Sequence, residues 1–469
     1  MAHDDPKREA PTPIDAPHDR ERVDLTRRRL LIGAAAGALS VPLLRGTAAA
    51  AAAAGFTPDG LVREPAGGVV AGCWHPRFQR VRDEFTRNFT QRGEVGAAVS
   101  VIAGGRRVID LWGGTANVDT GAPWQEDTIV HVWSCTKGAT ALCAHIMAAR
   151  GLLDLDALVT DYWPEFGQSG KEATTVAMLL SHQAGVPAVR DPLPAGAFYD
   201  TEFMTDTLAA EAPFWQPGSR HGYHALTFGF LVGELVRRIS GKTLGEFFRT
   251  EVAERFGIDF QMGLPDSELP RLATVMLAGP PPPPFPTYLI QAFTDPTSIP
   301  ALVLFNNGGF LNPGEAESPA ARAQTEIGAS GGFTNARALA RMYQLLVQPR
   351  LALPLVGRGG LVRMSRVNSA GLDQFGFIPS RFALGYVKSI DNRRGTPGNQ
   401  DSGIVSEDAF HHSGFGGSIG LADPRADFSL GYVMNKHGNG TLLNPRGQSL
   451  IDATYQALGY TEVAGNYVR

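Results

Sequence analysis

Cysteine, lysine and aromatic residues are all scarce in this sequence, and it contains no long apolar run. Three cysteines in 469 residues, Cys73, Cys135 and Cys143, cannot form the disulfide framework of a small secreted scaffold. Aromatic residues amount to 9%, no basic stripe is interleaved with them, and the net charge is −4, so nucleic acid is not expected as a partner. No apolar stretch reaches the roughly 20 residues that cross a bilayer, which argues against a channel or a stable membrane anchor. No histidine–glutamate or cysteine pair has zinc spacing and no cofactor motif is visible, so neither a metal nor a cofactor is expected. Glycine (55) and proline (33) are plentiful, but at about 19% together they stay below the level of disordered or collagen-like chains. The length suits two or three domains, or one large α/β body with an insertion, and can bury a core without staples.

What is present begins with an address. Thr26-Arg27-Arg28-Arg29-Leu30-Leu31 leads into an apolar stretch rich in Gly and Ala over residues 30–44, then Arg45, then an alanine run ending near Ala54. That order is the layout of a signal peptide, and paired arginines ahead of Leu-Leu match the twin-arginine export pattern. Residues 1–54 are therefore expected to engage the twin-arginine export machinery, placing the mature chain outside the cell, in the periplasm or in the cell envelope. Without the leader the net charge is about −5, that of a mildly acidic soluble protein. Val70-Ala71-Gly72-Cys73 imitates a lipid-attachment box, but no apolar run precedes it.

Along the mature chain, Phe78, Val81, Phe85 and Phe89 recur at helical spacing within residues 75–92. Two β-rich runs, Glu94 to Ile102 and Arg107 to Trp112, joined through Ala103-Gly104-Gly105-Arg106, predict a hairpin. A short run from Thr128 to Trp133 leads into a helical pattern from Ser134 to Arg150. The middle reads as helices between long loops, clearest at Thr174–His182, Leu226–Ile239 and Leu244–Phe256, with a stiff proline-rich insertion at residues 280–286. Strand patterns return at Phe382–Ile390, Ala409–Gly414, Ser418–Ala422 and Phe428–Asn435, and residues 445–458 close as a helix. The expected fold is α+β, an α/β sandwich. One antiparallel sheet would be built from residues 55–150 and 321–469, flanked by terminal helices, with residues 151–320 as an inserted, mainly helical domain.

The strongest chemical signal is Ser134-Cys135-Thr136-Lys137 at the start of the long helix. Residues three apart share a helix face, so Lys137 can reach the Ser134 hydroxyl. Serine needs a base to become a nucleophile, and a desolvated lysine can be that base where arginine cannot. With 6 lysines, 36 arginines and 21 serines, a Ser-x-x-Lys match is expected by chance about 0.3 times. Tyr223-His224-Ala225 follows 89 residues after Ser134, and His412-Ser413-Gly414 with Phe415-Gly416-Gly417 falls on a late strand.

At these three places the sequence resembles the serine β-lactamase and penicillin-binding protein superfamily, whose order is Ser-x-x-Lys, Tyr-x-Asn, then Lys-Thr-Gly or His-x-Gly. Leu179-Leu180-Ser181-His182-Gln183-Ala184-Gly185, Ala329-Ser330-Gly331-Gly332 with Thr334, and Ala338-Leu339-Ala340-Arg341 agree with its other segments, so the resemblance spans about residues 75–460. It implies a β-lactamase/transpeptidase-like fold, Ser134 as acylated nucleophile, Lys137 as its base and Tyr223 as proton relay, phenol or phenolate. It places His412 at the cationic triad position, orienting the substrate carbonyl or helping hold the Tyr223 proton. The oxyanion site would be the amides of Ser134 and of Phe415, just past Gly414. Two departures bear on substrate: Ala225 stands where the family has an amide, and the triad lacks its lysine. Both resemble the family VIII carboxylesterases near the class C β-lactamases. Hydrolysis of carboxylic esters is the expectation, with a small-molecule ester or amide as the partner. The alternatives are a β-lactamase, a D,D-peptidase or D-aminopeptidase, an acyltransferase, or a non-catalytic binding module.

Other residues receive plainer readings. Ser330 and Ser418 each fit Gly-x-Ser-x-Gly but lack the strand-then-helix setting that motif requires. His221 and His224 read as solvated loop residues, His182 and Gln183 as helix caps, and Cys135 and Cys143 as buried thiols. The cleft walls are expected from residues 187–203 and from the proline insertion.

Overall fold

The computed structural model describes residues 60–65, 67–324 and 326–469, and the leader read at residues 1–54 lies outside them. The main sheet starts with β1 (Val62–Arg63) and β2 (Val70–Trp74) and, after helix α1 (Gln79–Gln91), continues into the hairpin β3 (Gly96–Ala103) and β4 (Arg106–Asn117). Gly104 and Gly105 close that hairpin with φ of 58° and 75°, the left-handed pair a two-residue turn demands. A short β5 (Ala122–Pro123) pairs with β4. Three short strands, β6 (Val130–His131), β7 (Phe260–Met262) and β8 (Gly332–Thr334), form a separate small sheet in the order β6-β8-β7. The strands β9 (Ser369–Leu372) and β10 (Pro379–Phe382) make a hairpin, and β11 (Phe410–Ser413), β12 (Ile419–Asp423) and β13 (Phe428–Met434) rejoin the main sheet. Its order is β1-β2-β4-β3-β13-β12-β11, antiparallel throughout.

The pairing of β3 with β13, Ala103 opposite Phe428 through Ala97 opposite Met434, unites the two ends of the described chain in one sheet. Both faces of that sheet are buried. On one, α1 and the closing helix α7 (Pro445–Ala457) cover it through Val81, Phe85, Leu450 and Ile451, each fully buried against Val99, Val101 and Leu421. On the other lie α2 (Thr136–Ala149), α3 (Thr227–Ser240) and α6 (Ala336–Val347), whose apolar sides join a second core. Helix α2 is enclosed on all sides, with Thr136 to Met147 all buried. Two further helices, α4 (Thr287–Thr294) and α5 (Ile299–Phe305), pack on each other beyond the proline run.

Val70–Cys73, where no lipid box was expected, lies in β2, an inner strand in which Cys73 stands opposite Asp110. One expected strand is corrected. The run Phe382–Ile390 is not one strand. The chain turns at Gly385, where φ is 85° and Ala383 N–H bonds back to the Tyr386 carbonyl, so beyond β10 only single bridges remain. Residues 349–365, for which the sequence pattern gave no element, are helical with a kink at Gly357.

Candidate active site

The serine motif sits where β6 gives way to α2. Trp133 bridges Gly331 and takes a φ of 48°, a left-handed conformation that costs a residue with a Cβ on the order of 1 kcal/mol. The kink turns the chain sharply from strand to helix and leaves Ser134 partly exposed at the helix mouth. Thr136 fastens the turn: its hydroxyl donates to the Trp133 carbonyl (2.5 Å) and accepts from Gly332 N–H (2.9 Å).

Lys137 is completely buried one turn on. Its Nζ lies 3.0 Å from Ser134 Oγ, 2.6 Å from the Ala225 carbonyl and 2.9 Å from the Ala329 carbonyl. Burial drives its pKa well below the usual lysine range, against an opposing effect from Cys135, and so favours the neutral amine. In that form the two N–H groups serve the two carbonyls and the lone pair faces the serine.

Tyr223 immediately precedes the turn into α3, and its ring centroid is 4.8 Å from Lys137 Nζ. The β9–β10 hairpin holds it: Tyr223 N–H donates to both oxygens of Asp373 (3.2 and 3.0 Å), and its ring lies parallel to that of Phe382, 6.1 Å away. Burial raises the phenol above its ordinary range, more than a hydrogen bond with Ser134 lowers it. Of the two protonation states left open by the sequence, the phenol is the one this setting favours.

His412, on β11, is buried with Nδ1 2.9 Å from the Ser413 carbonyl, which assigns the proton to Nδ1. Burial and then Lys137 lower its pKa well below the usual histidine value, which favours a neutral imidazole at the position that is cationic in the family. Its ring is 6.1 Å from that of Tyr223. Gly414 brings the end of β11 directly onto the serine segment: a Cβ there would lie 2.2 Å from the Val132 carbonyl oxygen. Cys135 adds a second tie, its Sγ donating to the His412 carbonyl at 3.4 Å. Phe415 is thereby delivered beside Ser134, its ring edge-on to Trp133 at 5.7 Å.

The histidines around Tyr223 are not solvated. His221, His224 and His182 are all buried behind Tyr223. His221 Nε2 pairs with Ser380 Oγ (2.8 Å), His224 Nδ1 with the Gly222 carbonyl (2.7 Å), and His182 Nδ1 accepts from His224 N–H (3.1 Å). His182 and Gln183 do close the preceding helix, through their backbone amides. Ser330 lies in a turn that leads into β8 rather than a helix, and Ser418 is buried ahead of β12. No group of three His, Cys, Asp or Glu side chains among the described residues is placed to hold a metal ion.

Ser134 opens onto a cavity of about 440 Å³ lined mainly by apolar side chains, among them Leu277, Tyr288, Phe293, Phe305, Leu311 and Phe375. The walls thus come from residues 275–278 and 288–317 and from the β9–β10 loop, and neither residues 187–203 nor the proline run 280–286 lines the cavity. The 187–203 loop packs behind α5, with Leu193 N–H on Asn306 Oδ1 (2.8 Å) and Gly196 N–H on the Gly308 carbonyl (2.8 Å). Sequence reasoning missed the Ala225 and Ala329 carbonyls, Asp373 and Phe382. None has a sequence signal, since two act through backbone oxygens and two stand on a hairpin with no marked periodicity.

An antiparallel sheet carrying a strand at one edge of a Ser–Lys–Tyr cluster, with a mainly helical segment over it, defines a serine hydrolase of the β-lactamase/transpeptidase-like fold. The family model "Beta-lactamase" matches residues 81–453, and the chain belongs to that family. It is 34% identical over 385 residues, 79% of this chain and 84% of the other, to the esterase/β-lactamase LipL of Mycobacterium tuberculosis. Among solved structures it is similar to a family VIII carboxylesterase, with 33% identity and a TM-score of 0.70 over 83% of this chain and 99% of that one. A penicillin-binding protein homolog from Caulobacter crescentus gives 33% identity and a TM-score of 0.69, with the same coverage.

Proposed function

We propose that this hydrolase cleaves carboxylic esters through an acyl-enzyme on Ser134. The observation that carries the reading is the Lys137 amine, 3.0 Å from Ser134 Oγ with its other two directions taken by carbonyls. Ser134 Oγ attacks the ester carbonyl carbon as its proton passes to Lys137 Nζ. The amides of Ser134 and Phe415 receive the oxyanion. Collapse breaks the bond to the alcohol oxygen, which takes a proton from the Tyr223 hydroxyl; Lys137 then returns its proton to Tyr223. Water repeats the sequence on the acyl-enzyme and releases the acid. Neutral His412, with Nε2 unprotonated, positions Tyr223.

Ester rather than β-lactam is favoured because Ala225 offers no amide to a β-lactam side chain and the triad offers no lysine to its carboxylate. The apolar cavity suits an acyl or alcohol chain instead, and the names of the relatives support the same class. Turnover of p-nitrophenyl butyrate is expected to exceed that of a chromogenic cephalosporin by about a hundredfold or more. Comparable rates would transfer the protein to the β-lactamases. A fluorophosphonate probe should add to Ser134, read by peptide mass spectrometry; an unlabelled serine with neither substrate turned over would favour a binding module.

The Thr26–Leu31 pattern supports export by the twin-arginine route to the cell exterior or envelope. Changing Arg27 and Arg28 together to lysine is expected to leave the full-length protein in the cytoplasm, as fractionation and immunoblotting would show. Unchanged export would point to another route.

A further inference from the structure

Among the described residues lining the cavity at Ser134, Glu317 is the one side chain able to carry a formal charge outside the tyrosine range. Its Oε1 is buried and has no hydrogen-bond partner, the only carboxylate oxygen in that condition among the described residues. The neighbouring arginine does not pair with it. Arg322 Nε donates to the Glu317 backbone carbonyl (3.1 Å), and its Nη1 reaches Asp266 (3.3 Å). Burial raises the Glu317 pKa to about 7, against a backbone hydrogen bond from Val275 and the charge of Arg322. A buried carboxyl oxygen without a partner costs free energy, and a ligand that brings a donor to it relieves that cost. The aromatic lining also favours a cation, since ring faces attract ammonium groups.

We propose that Glu317 is a specificity residue, selecting esters whose otherwise apolar acyl or alcohol chain ends in a primary amine. The ammonium would pair with Glu317 while the chain fills the aromatic cavity and the ester reaches Ser134. This rests on the esterase reading above and names its substrate class.

The test compares ω-amino acyl p-nitrophenyl esters, over chain lengths of four to ten methylenes, with their methyl-terminated isosteres. A second series places the amine on the alcohol side, as ω-aminoalkyl acetates against alkyl acetates. In one series, the wild-type protein is expected to show a kcat/KM about tenfold or more higher for the amine at some length. In Glu317→Leu and Glu317→Gln that ratio should fall to about one or below. Because the quantity read is a ratio within each enzyme, a general loss of activity cancels from it. Retention of the ratio in both variants, or its absence in the wild type while the methyl-terminated esters are hydrolysed, would overturn this inference and leave the esterase reading standing. Failure of every ester would overturn both.

Discussion

Changing Ser134 to alanine is expected to lower ester turnover by about 10⁴-fold or more, to the level left by the oxyanion donors and binding alone. The hydroxyl is the atom acylated, and no other serine is placed to replace it. Ser134 is the one hydroxyl among the hydrogen-bond partners of the Lys137 amine, whose other two are the Ala225 and Ala329 carbonyls. Ser134 sits partly exposed and its Oγ touches only Lys137 and Tyr223, so the change should alter stability by less than about 1 kcal/mol. Steady-state kinetics with p-nitrophenyl butyrate, beside a thermal melt, separates the two effects. Residual activity within tenfold of wild type would place the nucleophile elsewhere.

Lys137 should be nearly as critical, and its two simplest replacements should fail differently. In Lys137→Met the base is gone and two buried carbonyls lose their donors. Turnover is expected to fall about 10³-fold or more, with about 1–3 kcal/mol of stability lost for each orphaned oxygen. Lys137→Arg cannot be neutralised, so it would bury a guanidinium with no carboxylate beside it. It should be as inactive and less stable still, by about 3 kcal/mol or more. The wild-type pH profile follows from the direction of the Lys137 shift. Because burial lowers that pKa, the amine is neutral over a wide range; kcat/KM should be flat through neutrality and fall only as acid protonates it. Tyr223, shifted upward, adds no loss on the alkaline side until well above the usual phenol range. A profile that instead rose continuously towards the ordinary lysine value would mean that the amine is charged in the resting protein.

How much of this was legible in the sequence varies by residue. Ser134 and Lys137 stand out because helical geometry makes their spacing meaningful and lysine is rare here. Tyr223 and His412 have no such local logic and were reached only through the family's ordered motifs. The charge on His412 could not be read from its position in a triad, since it depends on the depth to which β11 is covered. The Ala225 and Ala329 carbonyls are invisible in principle, because every residue has one. Strand β2 went unread since Ala71, Gly72 and Cys73 carry little β-propensity; pairing on both sides creates it. Neither residues 187–203 nor the proline run lines the cavity, because length and proline content mark a loop as unusual without indicating which way it faces.

The pairing of β3 with β13 has a consequence for the order of events during synthesis. More than three hundred residues separate the two partners, and the strand bearing His412 and Gly414 joins the sheet only through β12 and β13. A nascent chain that has already exposed its serine and lysine still lacks the strand that aligns them against Phe415. Assembly must wait for the C-terminal segment, and such non-local pairing is intrinsically slow. The protein therefore gains its chemistry in one late step, and a fragment stalled before residue 428 would carry the nucleophile without the means to use it.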